Sequence, residues 1–418
     1  MEHHVSCLAM KLSKTYQKFG LILFTYHWLL CGSVFASLDE TLLKELVEIS
    51  SDSHDAKGVN RVQDRIEKEL KKLGFETRRI APPTDHKETG ELLEGILSGR
   101  SKQTITLVTH ADTVFSKKSG FTHYRKDSNG QKAVGPGVID DKGGIVIALK
   151  AIENLLKRNA TLNYSIRFIS SPNEEVGSTG FNDFFREVGK QSIAVLGFEP
   201  ALEGGHIIES RRGDRWYEVK VEGKEGHAGR SHAQSVNACY DLAKKLTQIQ
   251  ELTRYEDDVT VSVGHFSGGK DKFNVVCGAA EAKVDARFAT LKSRDQLHQK
   301  IMQILNTSYA MTQDQKLKSK TKVTLADDCP PFSKTPQSKP FIEFIIKEIE
   351  TLENRTIKSK KSGGAADSNY LSREGLIVID GLGAVGGKMH TQDETIELSS
   401  LETRSQAVAK LLHRLDQI

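Results

Sequence analysis

The sequence has few cysteines and few prolines, and both scarcities restrict the classes of protein it can represent. Its 418 residues include five cysteines and nine prolines. Cys239, Cys277 and Cys329 lack the paired spacing of a zinc knuckle or a disulfide framework, so at most one disulfide can form among them and we expect each to be buried. Hydrophobic residues make up 38% of the chain, which is typical of a globular protein and excludes a polytopic membrane protein, a fibrous chain and a disordered one.

Long apolar runs are also scarce. The residues that flank the one near the N-terminus are typical of a secretory signal. The lysine-containing segment 11–18 precedes the apolar run Gly20–Leu30, and small residues follow as far as Ala36. A run of about a dozen residues is too short to span a bilayer comfortably. We therefore predict a signal peptide over 1–36, a secreted or periplasmic protein, and no membrane span after cleavage. An uncleaved anchor is the alternative.

The chain also lacks an excess of charge of either sign. Lys and Arg number 59 against 55 Asp and Glu, a net charge of +4. Removal of residues 1–36, which hold three lysines and one glutamate, lowers this to +2. Opposite charges are interspersed, and a basic run such as Lys358–Lys361 is typical of a solvated surface, so we predict no nucleic-acid partner.

Hydrophobic periodicity predicts two kinds of folded unit. Up to residue 212, short β-type runs alternate with helical ones, which indicates a doubly wound, mostly parallel α/β sheet. Residues 213–326 instead follow a β-α-β-β-α-β order, which predicts a smaller, ferredoxin-like α+β unit. Three prolines after residue 329 mark the return of the chain, so residues 37–212 and 327–418 would form one α/β domain that the smaller unit interrupts.

Polar residues that can bind metal follow several of the predicted strands. His110 and Asp112 come directly after the strand 104–109, and the carboxylate can orient the imidazole as a metal ligand. Asp140 lies in the glycine-rich segment Gly135–Gly144, where two adjacent acidic residues would repel an anion and a phosphate-binding motif is absent. In isolation, however, an H-x-D pair is also typical of an ordinary polar loop.

Further carboxylates and an imidazole lie beyond the later strands. Glu174 and Glu175 are adjacent, which is unfavourable unless one binds a metal and the other exchanges a proton; a solvated acidic loop is the alternative. Glu199 follows an apolar strand, and His390 lies in a late glycine-rich segment. The candidate ligands are all nitrogen and oxygen donors, which suits two Zn²⁺ ions or other divalent metals such as Co²⁺ and Mn²⁺: His110, Asp140, Glu175, Glu199 and His390.

In this combination and order, the motifs resemble those of the M20 family of metallopeptidases, most closely its glutamate carboxypeptidase (carboxypeptidase G2-like) branch. The matching segments are H-x-D-T-V from His110, G-P-G-x-x-D-D-K-G-G from Gly135, N-E-E-x-G-S from Asn173, and F-E-P from Phe198. The resemblance implies that His110 and Glu199 hold one zinc ion, that Glu175 and His390 hold the other, and that Asp140 bridges both. It also implies that Glu174 is the general base and that Asp112 orients His110.

The same resemblance implies a role for the 213–326 unit as a lid and dimerisation domain, with a homodimer formed through it. His227, Asn274 and Arg287 would contact the substrate, His227 at the oxyanion and Arg287 at a carboxylate. A dipeptidase of the same family and a non-catalytic amino-acid or peptide receptor on the same fold remain alternatives. The preferred prediction is a secreted di-zinc carboxypeptidase or N-acyl-amino-acid amidohydrolase that acts on a small peptide or an N-acyl amino acid.

The sequence departs from the glutamate-preferring relatives at two positions that bear on substrate choice. Those relatives have basic residues soon after the equivalent of Glu199 and before the equivalent of Pro330, where this chain has Gly204-Gly205 and Asp327-Asp328. Recognition of a glutamate side chain is therefore in doubt. Arg211 and Arg212 lie near the first position, where they would either substitute for the missing basic residue or position the hinge at Gly213.

Overall fold

The computed structural model describes residues 38–84, 88–158 and 161–418. The chain divides into two compact units, residues 1–42 and 43–418. Of the first unit, only Leu38–Leu42 is described, and it is helical. The predicted signal peptide, 1–36, lies outside the described residues. Among those described, no helix combines the length and the apolar character that crossing a membrane requires.

Sixteen strands and nine helices occur in the described part of the chain. The strands are β1 Glu76–Ile80, β2 Leu92–Leu97, β3 Ser101–His110, β4 Arg125–Lys126, β5 Lys132–Val134, β6 Tyr164–Ser171, β7 Ser192–Gly197, β8 Ile207–Arg211, β9 Gly213–Glu222, β10 Thr260–Gly268, β11 Ala279–Phe288, β12 Lys320–Cys329, β13 Ser359–Ser362, β14 Ile377–Ile379, β15 Gly386–Gly387 and β16 Thr395–Glu397. The helices are α1 Leu38–Val47, α2 Ala56–Lys72, α3 Lys142–Leu156, α4 Asn182–Gln191, α5 Ala238–Gln250, α6 Leu291–Asn306, α7 Lys339–Glu353, α8 Asp367–Leu371 and α9 Ser399–Leu415.

The central sheet has six strands in the order β1-β2-β6-β3-β7-β14. Strands β6, β3, β7 and β14 are parallel, whereas β1 and β2 pair antiparallel at one edge. The α/β fold with a mostly parallel sheet is thereby confirmed. The antiparallel edge strands β1 and β2 were not predicted, because β1 reads Glu-Thr-Arg-Arg-Ile and lacks a buried face.

A second sheet is antiparallel throughout, with the order β10-β11-β9-β12. Along β9, Tyr217, Val219 and Val221 are buried, and they alternate with more exposed polar residues. This alternation packs one face of the sheet against α5 and α6. The predicted β-α-β-β-α-β order is present from β9 to β12. Its lid role and the boundaries at 212 and 326 remain predictions, and β12 continues to Cys329.

The cysteines correct one expectation. Cys239, at the start of α5, forms a disulfide with Cys277, which lies two residues before β11. Burial was the expected role for each cysteine, and only the free Cys329 is buried. The pairing was not foreseeable because 38 residues separate the two cysteines, and only the packing of α5 on the sheet brings them together.

A buried arginine joins three segments of the α/β domain. Arg404 of α9 is fully buried, and its Nε lies 2.8 Å from Oε1 of Glu353 in α7. The guanidinium also donates to the backbone carbonyl of Gly205. The arginine thus links α7, α9 and the turn before β8.

We predict that Arg404→Ala lowers the free energy of unfolding by about 3–5 kcal/mol, because the buried Glu353 carboxylate loses a charged partner. Urea denaturation followed by circular dichroism measures the change. Lys347→Ala replaces an exposed residue of α7 and should change stability by less than about 0.5 kcal/mol. Equal stability of the two variants would contradict this role of Arg404.

Candidate metal centre

The candidate ligands converge because parallel strands end at one edge of the central sheet. His110 is the last residue of β3, and the short 3₁₀ turn Glu174–Val176 follows β6. Glu199 follows β7, which is parallel to β3. The carboxyl ends of parallel strands lie at the same edge of the sheet, so loops far apart in sequence meet there.

Two groups of three donors share one carboxylate. The first consists of His110, Asp140 and Glu199, and the second of Asp140, Glu175 and His390. Oδ1 of Asp140 lies 3.0 Å from Nε2 of His110, and its Oδ2 lies 3.3 Å from Nε2 of His390. In each group the ligand atoms lie within 4.8 Å of one another. The structure thus brings the five predicted ligands together around Asp140.

In each group, the imidazole also lies near a glutamate. Nε2 of His110 lies 3.9 Å from Oε1 of Glu199. Nε2 of His390 lies 3.2 Å from Oε2 of Glu175. Each group therefore offers one imidazole nitrogen and two carboxylates, the donor set expected for zinc or a similar divalent cation.

Asp112 is fully buried beside His110 and organises its surroundings. Its Oδ1 lies 3.2 Å from Nδ1 of His110 and accepts the backbone N–H of Glu174 at 3.0 Å. Its Oδ2 accepts the Ser53 hydroxyl at 2.6 Å and the backbone N–H of Glu175 at 3.2 Å. One carboxylate therefore contacts both the imidazole and the turn that carries the adjacent glutamates. The orienting role of Asp112 remains a prediction.

The loop that carries Asp140 is held by a residue that sequence reasoning missed. Buried Glu394 accepts the backbone N–H groups of Ile139 at 3.0 Å and Asp140 at 3.3 Å through Oε1. Gly144 allows the first turn of α3 to approach the loop after β7, since a Cβ there would lie 2.2 Å from the Phe198 carbonyl oxygen. Glu394 belongs to no sequence motif, so only its position in the fold reveals it.

His390 reaches the centre from a tight loop between β15 and β16. Its φ of 62° lies in the left-handed region, which is uncommon for a residue other than glycine. The same conformation occurs at Lys388, with a φ of 58°. This loop turns the His390 imidazole towards Asp140, and the side chain remains half exposed.

Arg211 lies behind the centre, away from the position expected for a substrate contact. Its Nε donates to Oδ2 of buried Asp380 at 2.7 Å, and its Nη2 lies 3.9 Å from Oε2 of Glu199. Arg212 instead lies 3.7 Å from Asp258 and hydrogen-bonds Thr260. Arg211 is thus placed to support Glu199, and it does not line the adjoining cavity.

A cavity of about 300 Å³ opens beside the two donor groups. Glu174 lines it without belonging to either donor group. The rest of its lining includes residues from the second sheet and from α8 with the loop before it: Asp214, Trp216, Arg287, Asp327, Cys329, Gly364, Ala365, Ala366, Asp367 and Tyr370. Most of these were missed, because strands and a helix that are far apart in sequence contribute them to one cavity.

The three residues predicted to contact substrate are placed differently. Arg287 lines the cavity, where it pairs with Asp285 at 2.9 Å and with Asp214 at 3.3 Å. His227 and Asn274 are exposed and lie in neighbouring segments joined by a hydrogen bond from the Ala228 N–H to the Asn274 carbonyl. Neither is among the residues that line the cavity, so their contact with substrate remains a prediction.

The metal-free centre holds protons that a cation would have to displace. Hydrogen bonds with Asp140 and Glu175 raise the pKa of His390 to about 10. Burial and the neighbouring Asp140 carboxylate raise the pKa of Glu199 to about 8. Burial alone would raise the pKa of Asp140, but hydrogen bonds from His110 and His390 lower it below its usual value. Asp140 therefore stays ionised between two imidazoles.

The pKa of Glu174 is shifted in the direction opposite to that of Asp140. Burial, together with the nearby Glu199 carboxylate, raises the pKa of Glu174 well above its usual value. A carboxyl group with a raised pKa that lines the cavity can exchange a proton with a bound molecule.

Known proteins resemble this chain along most of its length. A family model described as peptidase family M20/M25/M40 matches residues 106–414. Carboxypeptidase G2 from a Pseudomonas species is 26% identical over 378 residues, which cover 88% of this chain and 87% of that protein. Succinyl-diaminopimelate desuccinylase from Coxiella burnetii is 28% identical over 281 residues, which cover 64% of this chain and 71% of that protein.

Solved structures show the same fold at lower identity. An M20 family metallo-carboxypeptidase from Sulfolobus solfataricus has a TM-score of 0.72 at 16% identity, covering 91% of this chain and all of that one. The aminopeptidase PepT from Bacillus cereus has a TM-score of 0.71 at 21% identity, covering 90% of this chain and 98% of that one. At such identities the likeness concerns the fold alone.

We predict that metal affinity rises as the pH increases from about 6 to about 8, because metal ligands bind in their deprotonated forms. His390 and Glu199 carry protons in the metal-free protein until the pH exceeds their pKa values of about 10 and 8. Each displaced proton should strengthen binding about tenfold per pH unit. Zn²⁺ titration against a chelator at several pH values measures this, and a pH-independent affinity would contradict it.

We also predict that Asp112→Asn weakens metal binding about 10–100-fold, because the amide cannot replace the carboxylate beside His110. Equilibrium dialysis with Zn²⁺ measures the affinity. Asp183→Asn, on the exposed face of α4, is the matched control and should bind as the unmodified protein does. Equal affinities for the two variants would remove the orienting role of Asp112.

Proposed function

The chain belongs to peptidase family M20/M25/M40, and from that membership we propose that it is a secreted di-zinc hydrolase releasing a C-terminal amino acid from an N-acylated or peptidyl substrate. The coarser conclusion, a metallohydrolase of peptidase type, follows from the family and its donor groups. The number and kind of metal ions, the bond cleaved and the cellular location belong to the proposal.

The single observation that carries the proposal is the sharing of Asp140 between two donor groups. Its two oxygens face two different imidazoles, at 3.0 Å and 3.3 Å. One carboxylate can therefore bridge a pair of cations, with His110 and Glu199 holding one and Glu175 and His390 the other. The nitrogen and oxygen donors fit Zn²⁺ and also accept Co²⁺ or Mn²⁺. When bound, such ions would acidify a water molecule and polarise a carbonyl.

Glu174 is the residue proposed to move the proton. It lines the cavity next to the ligands without belonging to either donor group, so its carboxylate is free to accept a proton from the attacking water. It would then return that proton to the nitrogen of the leaving amine as the C–N bond breaks. Asp112 holds Glu174 in place through the backbone N–H hydrogen bond at 3.0 Å.

Two relatives support a substrate with a blocked or peptidyl nitrogen. One of them is named as a carboxypeptidase and the other as a desuccinylase. A dipeptidase is the second candidate, and the acidic side of the cavity favours it, because Asp214, Asp327 and Asp367 would suit a free ammonium group.

The lid residues and the homodimer stay within the proposal. Arg287 lines the cavity, where it pairs with Asp214 and Asp285. Its contact with substrate is part of the proposal. His227 and Asn274 would meet substrate only if the second sheet closes over the cavity or if another copy of the chain supplies them. We propose that the homodimer forms through the 213–326 unit.

Secretion is supported by one structural feature. The Cys239–Cys277 disulfide is typical of proteins from oxidising compartments. It agrees with the signal peptide proposed for residues 1–36. We therefore propose a secreted or periplasmic protein.

We predict that Glu174→Gln lowers kcat by about 10²–10⁴-fold while metal content is unchanged, because the amide cannot accept a proton and Glu174 is no ligand. Amine release from folyl-glutamate, N-acyl amino acids and free dipeptides measures turnover, and elemental analysis measures metal.

Glu203→Gln, an exposed residue, is the control and should keep full activity. Full activity of Glu174→Gln would refute the general-base assignment. Turnover restricted to free dipeptides would favour the dipeptidase, and metal binding without any turnover would favour the receptor.

A further inference from the structure

The cavity has a side that the proposed proton transfer does not use. We call it the distal wall, formed by Asp214, Trp216, Arg287, Asp327, Asp367 and Tyr370. It combines residues of β9, β11 and β12 with residues of α8. The wall shares with the metal ligands a cavity of about 300 Å³, which is large enough for an amino-acid-sized group.

Two carboxylate oxygens of the distal wall are buried without a donor. Asp214 and Asp367 are each only 3% exposed. Within the described part of the chain, neither Oδ1 of Asp214 nor Oδ2 of Asp367 has a hydrogen-bond partner. A buried carboxylate oxygen without a donor is unfavourable. Both residues line the cavity, so their negative charge acts on a group bound there.

The distal wall also carries more negative charge than its one basic residue neutralises. Arg287 is its only basic member, and two carboxylates already neutralise it, Asp285 at 2.9 Å and Asp214 at 3.3 Å. Asp327 accepts the Tyr370 hydroxyl at 2.6 Å, a neutral donor that leaves its charge in place. Burial and the adjacent Asp327 carboxylate raise the pKa of Asp214 to about 7, as expected for a carboxylate short of positive charge.

An aromatic ring completes the wall. Trp216 lies against the turn that carries Glu174 and Glu175, since a Cβ added at Gly177 would be 3.3 Å from its ring. The face of an indole ring attracts organic cations, and a carboxylate next to an aromatic ring is a common setting for ammonium and guanidinium groups.

We propose that the distal wall binds a positively charged group of the substrate, an ammonium or a guanidinium, and so selects cationic substrates over neutral and acidic ones. This inference rests on the proposed function and specifies its substrate class. A glutamate side chain would instead place a carboxylate against Asp327 and Asp367. The cation can belong to a basic side chain or to the free α-amino group of a peptide.

The first test compares substrates that differ in one charge, with the zinc-loaded full chain. Nα-acetyl-lysine, Nα-acetyl-norleucine and Nα-acetyl-glutamate test a side-chain cation, and alanyl-alanine with its N-acetylated form tests the α-ammonium. The cationic member of at least one series should have a kcat/KM at least about tenfold above that of its uncharged counterpart. Equal values in both series, or a preference for glutamate, would overturn the proposal.

The second test removes the wall's carboxylates singly. Asp214→Asn and Asp367→Asn should reduce the preference for the cationic substrate about tenfold or more and change kcat/KM for the neutral one much less. Asp328→Asn is the matched control, because Asp328 is adjacent to Asp327 but pairs with Arg215 at 2.7 Å and does not line the cavity. A preference that survives both substitutions would overturn the assignment to these residues.

Calorimetric binding separates this inference from the proposed function. If no substrate is hydrolysed, the proposed function fails, while about tenfold tighter binding of Nα-acetyl-lysine than of Nα-acetyl-norleucine would still support the cation site. If substrates are hydrolysed without any charge preference, the proposed function stands and the cation site is refuted.

Discussion

The structure of the site depends on one carboxylate, Asp140, that faces two imidazoles. His110 stands at the end of a central strand, whereas His390 comes from a loop more than two hundred residues later in the chain. Every support around the centre serves to hold these groups against each other: Glu394 fixes the backbone of Asp140, and Asp112 fixes the His110 ring. A carboxylate so placed stays ionised because its partners carry or share protons. The same arrangement prepares it to bridge cations once those protons leave.

The density of negative charge is the second constraint, and it extends beyond the metal ligands. A buried carboxylate is tolerated only with a proton, a cation or several hydrogen-bond donors. At the metal end, imidazoles and backbone N–H groups meet this need. At the distal wall, Arg287 meets only part of it, and Asp214 and Asp367 each keep an oxygen without a donor. The two ends of the cavity therefore have the same physical requirement, which a metal ion would satisfy at one end and a substrate cation at the other.

Much of the fold could be predicted because its elements repeat simple periodicities. Strands β3, β6 and β7 are largely apolar runs, and strands β9 and β11 alternate buried and more exposed residues. Where periodicity is weak, prediction failed: β1 has charged residues on an exposed edge, and β15 has two residues. The Cys239–Cys277 disulfide was missed for a related reason, since its partners approach each other only when α5 packs on its sheet.

The sequence by itself identified the candidate metal ligands. Each candidate lies at or soon after the end of a strand, or in a glycine-rich segment, so local patterns indicate both the residue and its position in the fold. Only the tertiary structure decided what else meets that centre. It placed Arg287 in the cavity but left His227 and Asn274 outside, and it assembled the distal wall from three strands of one sheet and a helix. The physical reason is that a ligand motif is encoded within a few residues, whereas the charge of a cavity is a sum over side chains that only packing brings together.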